Sequence, residues 1–544
     1  MKSKFLKISL VGGLLFAGLS CTKLDETPYL YDKVTGDRIG KTDLEVSSLV
    51  GAAYSNMAGI GGNNHYNPLG EVTADEEIVP TRGPDWGDGG HWVRQKLHTY
   101  TSLDNGPVSG WGFCYTGVTT CNRLVATLTT INTPTALSYI PELKVLRAFY
   151  YYLLLDWFGN VPLSVDFKDL TPPTNATRAA VYAFVESELI ANGPLLKKPA
   201  SVPDVATQYR MNYYVAQAIL AKLYLNAQVY TGTAAYDKCI TVCNTIINSG
   251  VYNLTPNYSD NFVQSNSGSK ESIWALPFDH VKFTGFNFGM MTLSYLNQST
   301  YNINAQPWNG FASTAEFYNT YIDTVANPGP VGLVVGLDPK GDTVRGTLDK
   351  RMQNNFLVGP QYSSSGARLS DDGADAADPD GKPFTFTPYI NQLQPGAWRQ
   401  SGARIGKWNF YQNMTSDMDN DFAIFRYADI LLTKAEATAR FGNNWNDLSV
   451  LAVVNQIRGQ HGGVSALPTL NAASFLMERS REMFAEGWKR QDMIRFGTYN
   501  GAFLFHPADP VDNLGPNGIN HLNVFPIPDA QINANKNLKQ NPGY

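Results

Sequence analysis

Two loops carry the side chains with chemistry to offer. Residues 71–100 place Asp75, Arg82, Asp85, Trp86, His91 and Trp92 among glycines. Residues 293–311 place Tyr295, Asn297, Tyr301, Gln306, Trp308 and Asn309 in a second polar stretch. Flat rings beside Asn, Asp, Arg and Gln suit a carbohydrate. The C–H faces of a sugar stack on an indole or phenol ring, and its hydroxyls need polar partners. The pattern points to ligand stacking on Trp86, Trp92 and Trp308, with Arg82, Asp85, Tyr295, Asn297, Tyr301 and Asn309 around them. Trp398, after Pro395-Gly396, is a further candidate. Trp86 and Trp92 lie in Gly-rich loop and are expected to escape burial, whereas Trp157 and Trp274 sit in apolar stretches and read as core. The other role open to each loop Trp is to pin its loop to the scaffold.

Reactive groups in catalytic patterns are missing. The chain has no G-x-S-x-G elbow, no H-E-x-x-H and no phosphate-binding glycine loop. Its seven His are scattered, none pairing with another at ligand spacing on a helix. The acid pairs Glu76-Glu77 and Asp371-Asp372 have the residue types of a glycosidase, but such pairs are more commonly solvated. The acidic stretch Asp371 to Asp380 lacks the regular spacing of a calcium loop and reads as a solvated turn. Cys114 and Cys121, and Cys239 and Cys243, have no His or second Cys pair at zinc spacing and read as buried thiols. No catalytic residue, metal site or cofactor is assigned.

The first residues set the compartment. Lys2, Lys4 and Lys7 precede an apolar run from Ile8 to Leu19, closed by Ser20-Cys21. That is a secretory signal, too short to span a bilayer, which takes about 20 apolar residues. A Cys directly after a small residue is the mark of a bacterial lipoprotein signal, although Gly18 stands where an aliphatic residue is usual. Cleavage after residue 20 makes Cys21 the lipid-bearing N-terminus, and acyl chains become the membrane attachment. The acidic Asp25 and Glu26 that follow resemble surface-export signals. Loss of the three lysines takes the formal net charge from -5 to -8. A mildly acidic chain without basic runs is a poor nucleic-acid binder.

Helical segments must position the loops. Apolar spacing predicts helices over 43–58, 108–130, 139–157, 178–192, 212–230, 234–248, 425–441 and 446–460. Ala216, Ala218, Ala221 and Ala227 in one segment, and Ala428, Ala435, Ala437 and Ala439 in another, allow close helix approach, as in tetratricopeptide stacks. No strict repeat survives. The stretches 59–107 and 280–420 are long and irregular yet rich in aromatics, which predicts ordered surface rather than disorder. Glu478, Glu482, Glu486 and Arg490, each four apart, are expected to share one helical face as an ion-pair ladder.

The segment Arg479, Arg481, Glu482, Glu486, Gly487, Arg490, Asp492 and Arg495 resembles the C-terminal signature of the SusD/RagB family, outer-membrane nutrient-binding lipoproteins of the Bacteroidetes. Three further matches follow the family's order. They are Leu146 to Tyr151 with Phe158 to Pro162, Arg426 to Ala437, and Phe525 to Pro528 with Gln540 to Tyr544.

The resemblance implies a mostly α, single SusD-like domain over 21–544. Most of the tetratricopeptide-like helical pairs would lie in 21–270, and the ligand loops and signature helix in 271–544, with a few short strands. It implies a non-enzymatic lid on a SusC-type TonB-dependent transporter, capturing oligo- or polysaccharide, or peptide in some relatives. Trp308 falls where the family commonly carries a sugar-contacting aromatic. A glycoside hydrolase with an unrecognised carboxylate pair and a structural helical-repeat adaptor remain as alternatives.

Overall fold

Apolar spacing becomes helix, and side-chain caps close some of the N-termini. The helices that matter here are α1 (Asp43–Ser55), α2 (His91–Lys96), α3 (Asn105–Ile131), α4 (Ile140–Trp157), α5 (Arg178–Asn192), α6 (Tyr213–Leu225), α7 (Tyr236–Ile247), α8 (Tyr427–Phe441), α9 (Leu448–Ile457), α10 (Ala472–Met483) and α11 (Lys489–Phe496). Thr177, Asn212 and Asp447 accept the first free backbone N–H groups of α5, α6 and α9. Asn471 and Ser474 close a reciprocal capping box on α10. The computed structural model describes residues 40, 42–323, 334–337, 343–374 and 381–544. The signal segment and Cys21 lie outside the described residues, as does 375–380 of the acidic stretch. Ser48–Tyr544 form one unit and Met1–Ser47 another. Among the described residues, no helix is long and apolar enough to cross a membrane.

The scaffold is a row of helices, α3 on α4, α4 on α5, α5 on α6, α6 on α7, α7 on α8 and α8 on α9. The α4 residues Leu143 to Trp157 are all buried apart from Lys144. A Cβ on Gly117 would stand 2.2 Å from the Tyr150 ring, so α3 approaches α4 more closely than any side chain there would permit. The chain leaves the row after Ile247 and returns at Tyr427. Strand β2 (Ser272–Leu276) pairs antiparallel with β4 (Phe422–Arg426), tying both ends of that excursion together. Sheets elsewhere are two or three short strands, among them β1 (Glu77–Ile78) on β3 (Ala312–Ser313).

The signature segment differs from the single helix expected. Helix α10 stops at Met483, the chain turns through Ala485 (φ 60°) and Gly487 (φ 88°), and α11 begins at Lys489. A Cβ on Gly487 would lie 2.2 Å from the Tyr66 ring, so the turn is pressed against the scaffold and only glycine fits. The acids still form ion pairs, with several different elements. Glu478 pairs with Arg351, Arg458 and Arg481. Glu482 accepts from Arg351 Nη1 at 3.0 Å, Arg426 Nη1 at 3.2 Å and His461 Nδ1 at 2.9 Å. Glu486 takes Lys407 at 2.6 Å and Arg426. Arg490 reaches Asp156 of α4 at 3.3 Å. Burial opposes charge on His461, but Glu482 and Glu271 override it and raise its pKa to about 10. Arg351, Arg481 and Arg458 overcome burial at Glu478 and hold its pKa at about 2.

Neither acid pair is the solvated pair expected. Glu76 and Glu77 are buried, not solvated. Glu76 accepts from the Ala485 backbone at 3.2 Å and lies 3.5 Å from Lys489, and Glu77 accepts from Asn67 at 3.2 Å. Burial raises the carboxyl pKa of both, and of neighbouring Glu71. Asp371 is also buried and bound to Arg399, while Asp372 is exposed. The long stretch 59–107 is ordered, but much of it is interior rather than surface: Leu69, Val72, Ala74, Ile78 and Trp92 are all core. Cys114, Cys121, Cys239 and Cys243 are free, buried thiols, and burial pushes Cys121 up to about 12.

Candidate functional site

Arg82 builds the site by being buried. Its guanidinium donates to the carbonyls of Trp398 (3.2 Å), Asn309 (3.0 Å), Gly310 (2.6 Å) and Ser401 (2.6 Å). One side chain thus fastens three loops that are far apart in sequence. Arg82 and Asp85 exchange backbone hydrogen bonds at 3.1 Å, which throws Gly83 and Pro84 out as an exposed tip. Thr81 bonds the backbone of Leu393 and Ala397 on the neighbouring loop. Between these loops opens a cavity of about 590 Å³. Arg82, Asp85, Tyr295, Gln306, Trp398 and Arg399 line it, together with Gly83, Pro84, Gly373, Gly396 and Ala397.

Its walls are polar with two aromatic surfaces. Tyr295 donates its hydroxyl to Asp85 Oδ2 at 3.3 Å, and the Arg399 guanidinium lies 4.7 Å from the Tyr295 ring centre. Arg399 Nη1 also bonds Asp371 Oδ1 at 2.8 Å. Burial raises the Tyr295 hydroxyl above its ordinary pKa against the pull of Arg399, so it remains a neutral donor. Trp398 is half-buried, 6.4 Å from the exposed ring of Tyr389. Donors, acceptors and ring faces converge on one concave surface, which is the equipment for holding a polyhydroxylated ligand.

Trp308 stands beside this cavity. Gln306, two residues before it, lines the wall, and the Trp308 carbonyl accepts Trp86 Nε1–H at 2.6 Å. Trp308 is 40% exposed, against 8% for Trp86 and 2% for Trp92. The Trp86 ring lies 6.4 Å from Trp308, 5.3 Å from Trp92 and 5.4 Å from Phe311. Trp92 is in turn fixed by its Nε1–H to Asp88 at 2.8 Å. Trp86 also holds a left-handed backbone conformation, φ 58°, which a bulky residue adopts only when its surroundings enforce it. The buried pair is a base on which the exposed ring is mounted.

Residues 270–544, half of the chain, match the model of the SusD family. The chain belongs to the SusD family. Starch-binding protein SusD of Bacteroides thetaiotaomicron is 27% identical over 427 residues, covering 74% of this chain and 72% of that protein. A solved laminarin-binding SusD-like protein superposes with a TM-score of 0.68 at 19% identity, covering 93% of this chain and 100% of that one. Surface glycan-binding protein A from Bacteroides uniformis gives 0.67 at 20% identity, covering 92% and 99%. The mostly α scaffold with short strands is therefore the SusD fold.

On this SusD scaffold the candidates separate by role. Asp85, Tyr295, Trp398 and part of Arg82 face the cavity, and Trp308 is exposed beside it. The expectation that Trp86 and Trp92 escape burial fails, because their N–H groups find acceptors and their rings pack on one another and on Phe311. Asn297 is buried, bonded to Thr300 and Gln361. Asn309 is buried too, accepting from Arg404 at 2.9 Å. Tyr301 is half-buried against Phe410, outside the cavity lining. Trp157 and Trp274 are core, as expected. Arg399 and Tyr389 were not picked out by residue pattern; Arg399 directly follows Trp398, and that adjacency was the available signal.

Proposed function

We propose that this protein is a cell-surface glycan-binding lipoprotein, anchored through Cys21, that captures an oligo- or polysaccharide and delivers it to a SusC-type TonB-dependent transporter in the outer membrane, acting as its lid. The observation that carries the binding role is the exposed Trp308 ring, mounted on buried Trp86 and Trp92 beside a cavity walled by Asp85, Tyr295, Gln306, Trp398 and Arg399. Family membership supports the carbohydrate class, as do the starch, laminarin and surface-glycan ligands in the names of its relatives. The partner and the anchor rest on the family resemblance and on the signal ending at Cys21.

Binding rather than bond-breaking fits the cavity's acids. Glycosidases use two carboxyl groups about 5–9.5 Å apart across the scissile bond. Among the described lining residues Asp85 is the single carboxylate, and neighbouring Asp371 is held by Arg399. Affinity electrophoresis of the purified protein against α-glucans, β-glucans and other polysaccharides tests the reading. Retardation by at least one polysaccharide, with no release of reducing sugar, is the expected result. Hydrolysis would favour the enzyme reading, and indifference to every glycan with retained transporter binding would favour a structural adaptor.

A further inference from the structure

We propose that His98, His506 and Asp509 form a binding site for a divalent transition metal of the zinc class, clipping the loop after α11 to the segment after α2. One ligand atom from each residue lies within 4.8 Å of the other two. His98 Nδ1 is 2.7 Å from Asp509 Oδ2, and His506 Nε2 is 3.3 Å from Asp509 Oδ1. A tetrahedral zinc ion with bonds of about 2.0–2.2 Å spaces its ligand atoms roughly 3.3–3.6 Å apart, so the cluster needs adjustments of a fraction of an ångström to a little over one.

The surroundings prepare these atoms as ligands. His98 Nε2 is 2.7 Å from the Thr73 carbonyl, which can only accept, so Nε2 carries the hydrogen. The neutral ring then turns its Nδ1 lone pair on the Asp509 carboxylate, a repulsive contact that a proton or a metal ion held by both would relieve. A backbone carbonyl on the far nitrogen is the usual way to orient a metal-binding imidazole. Asn500 donates to Asp509 Oδ2 at 2.9 Å and fixes the carboxylate. His98 stacks on Tyr499 and His506 on Phe503, which set both ring planes.

A proton on His98 would satisfy the His98–Asp509 pair alone. It would leave His506, 2% exposed, with no partner at Nδ1 and only the 3.3 Å contact of Nε2 with Asp509 Oδ1. Unsatisfied buried polar atoms are destabilising, and one metal ion serves all three side chains together. Two imidazoles select zinc-class metals over calcium or magnesium, which take oxygen ligands. Three protein ligands leave the fourth position to a solvent ligand.

The test loads the purified protein with zinc chloride, desalts it and measures bound metal by mass spectrometry. One equivalent is expected to remain, with a higher melting temperature that a chelator reverses. Cobalt(II) in place of zinc is expected to give the intense visible bands of a four-coordinate site. His506→Gln and Asp509→Asn should lose the retained metal, while His280→Ala, at an exposed His–Asp pair, should keep it. No retained zinc and no cobalt bands in the unmodified protein would overturn the proposal and leave a proton-bridged ion pair. Full retention by His506→Gln would overturn it equally, by placing the metal elsewhere. The unmodified protein decides the first outcome even if a variant fails to fold.

Discussion

Replacing Glu482 with Gln keeps the side chain's shape and removes one buried charge from the centre of the signature network. The wild-type carboxylate receives charge-assisted hydrogen bonds from Arg351, Arg426 and His461. The cations keep other acids, Arg351 with Glu478 and Asp349, Arg426 with Glu486 and Glu271. The loss should therefore approach the cost of breaking one buried pair, about 3–5 kcal/mol, and not the sum of three bonds. Unfolding entropy of about 2.1 cal/mol/K per residue, over a unit of about 500 residues, is roughly 1 kcal/mol/K. The melting temperature should fall by only about 3–5 °C.

The pH dependence gives the sign. Glu482 is held well below the ordinary carboxylate range by His461 and the two arginines, against the cost of burial. Its contribution is complete above the unfolded carboxyl pKa of about 4.3 and disappears as pH falls through the depressed native value. His461, raised to about 10, contributes fully below about 6.5 and ceases to contribute as pH rises through 10. Scanning calorimetry of both proteins from acid to alkaline pH should show the gap widest between about pH 4.3 and 6.5, closing as pH falls below that window and narrowing as pH rises from about 6.5 to 10. An unchanged melting temperature at about pH 6, or a gap that grows as pH falls below about 4, would refute the network as the tie between scaffold and loops.

Trp86→Phe keeps a ring but removes the donor to the Trp308 carbonyl, which should cost about 1–3 kcal/mol. Glycan affinity should weaken along with it, and an unchanged dissociation constant in calorimetry would show that Trp308 does not depend on this base. Cys21→Ala should move the protein from membrane to soluble fractions in cells lacking the transporter, through loss of the acyl chains. Continued outer-membrane association in that strain would count against the lipid anchor.

The scaffold was legible because its signals are local. The alanines of α6 and α8 and the apolar run of α4 all act within a few residues of themselves. The break at Ala485 to Gly487 was not, because its cause is Tyr66, more than 400 positions away. The regular spacing of Glu478, Glu482 and Glu486 looks helical, yet only the first two share a helix. In the candidate site, the two loops singled out by sequence meet in space, but the division of labour within them was not legible. Glycines around Trp86 and Trp92 suggest open loop, whereas partners from residues 308–311 bury both rings. Arg82 and Asn309 look like ligand-binding polar groups, and their long-range hydrogen bonds show them holding the backbone in shape.

We propose that the exposed Trp308 stacks on a glycan at the Arg82–Trp398 cavity. Isothermal calorimetry of Trp308→Ala, with whichever polysaccharide retards the wild-type protein, tests it most directly. Truncating an anchoring aromatic of this kind costs about 2 kcal/mol or more, roughly a thirtyfold loss of affinity. Because the ring is 40% exposed, the melting temperature should stay nearly constant. Wild-type affinity accompanied by a sharp fall in melting temperature would rule out stacking on Trp308, making it a loop anchor and moving the platform to Trp398 and Tyr389.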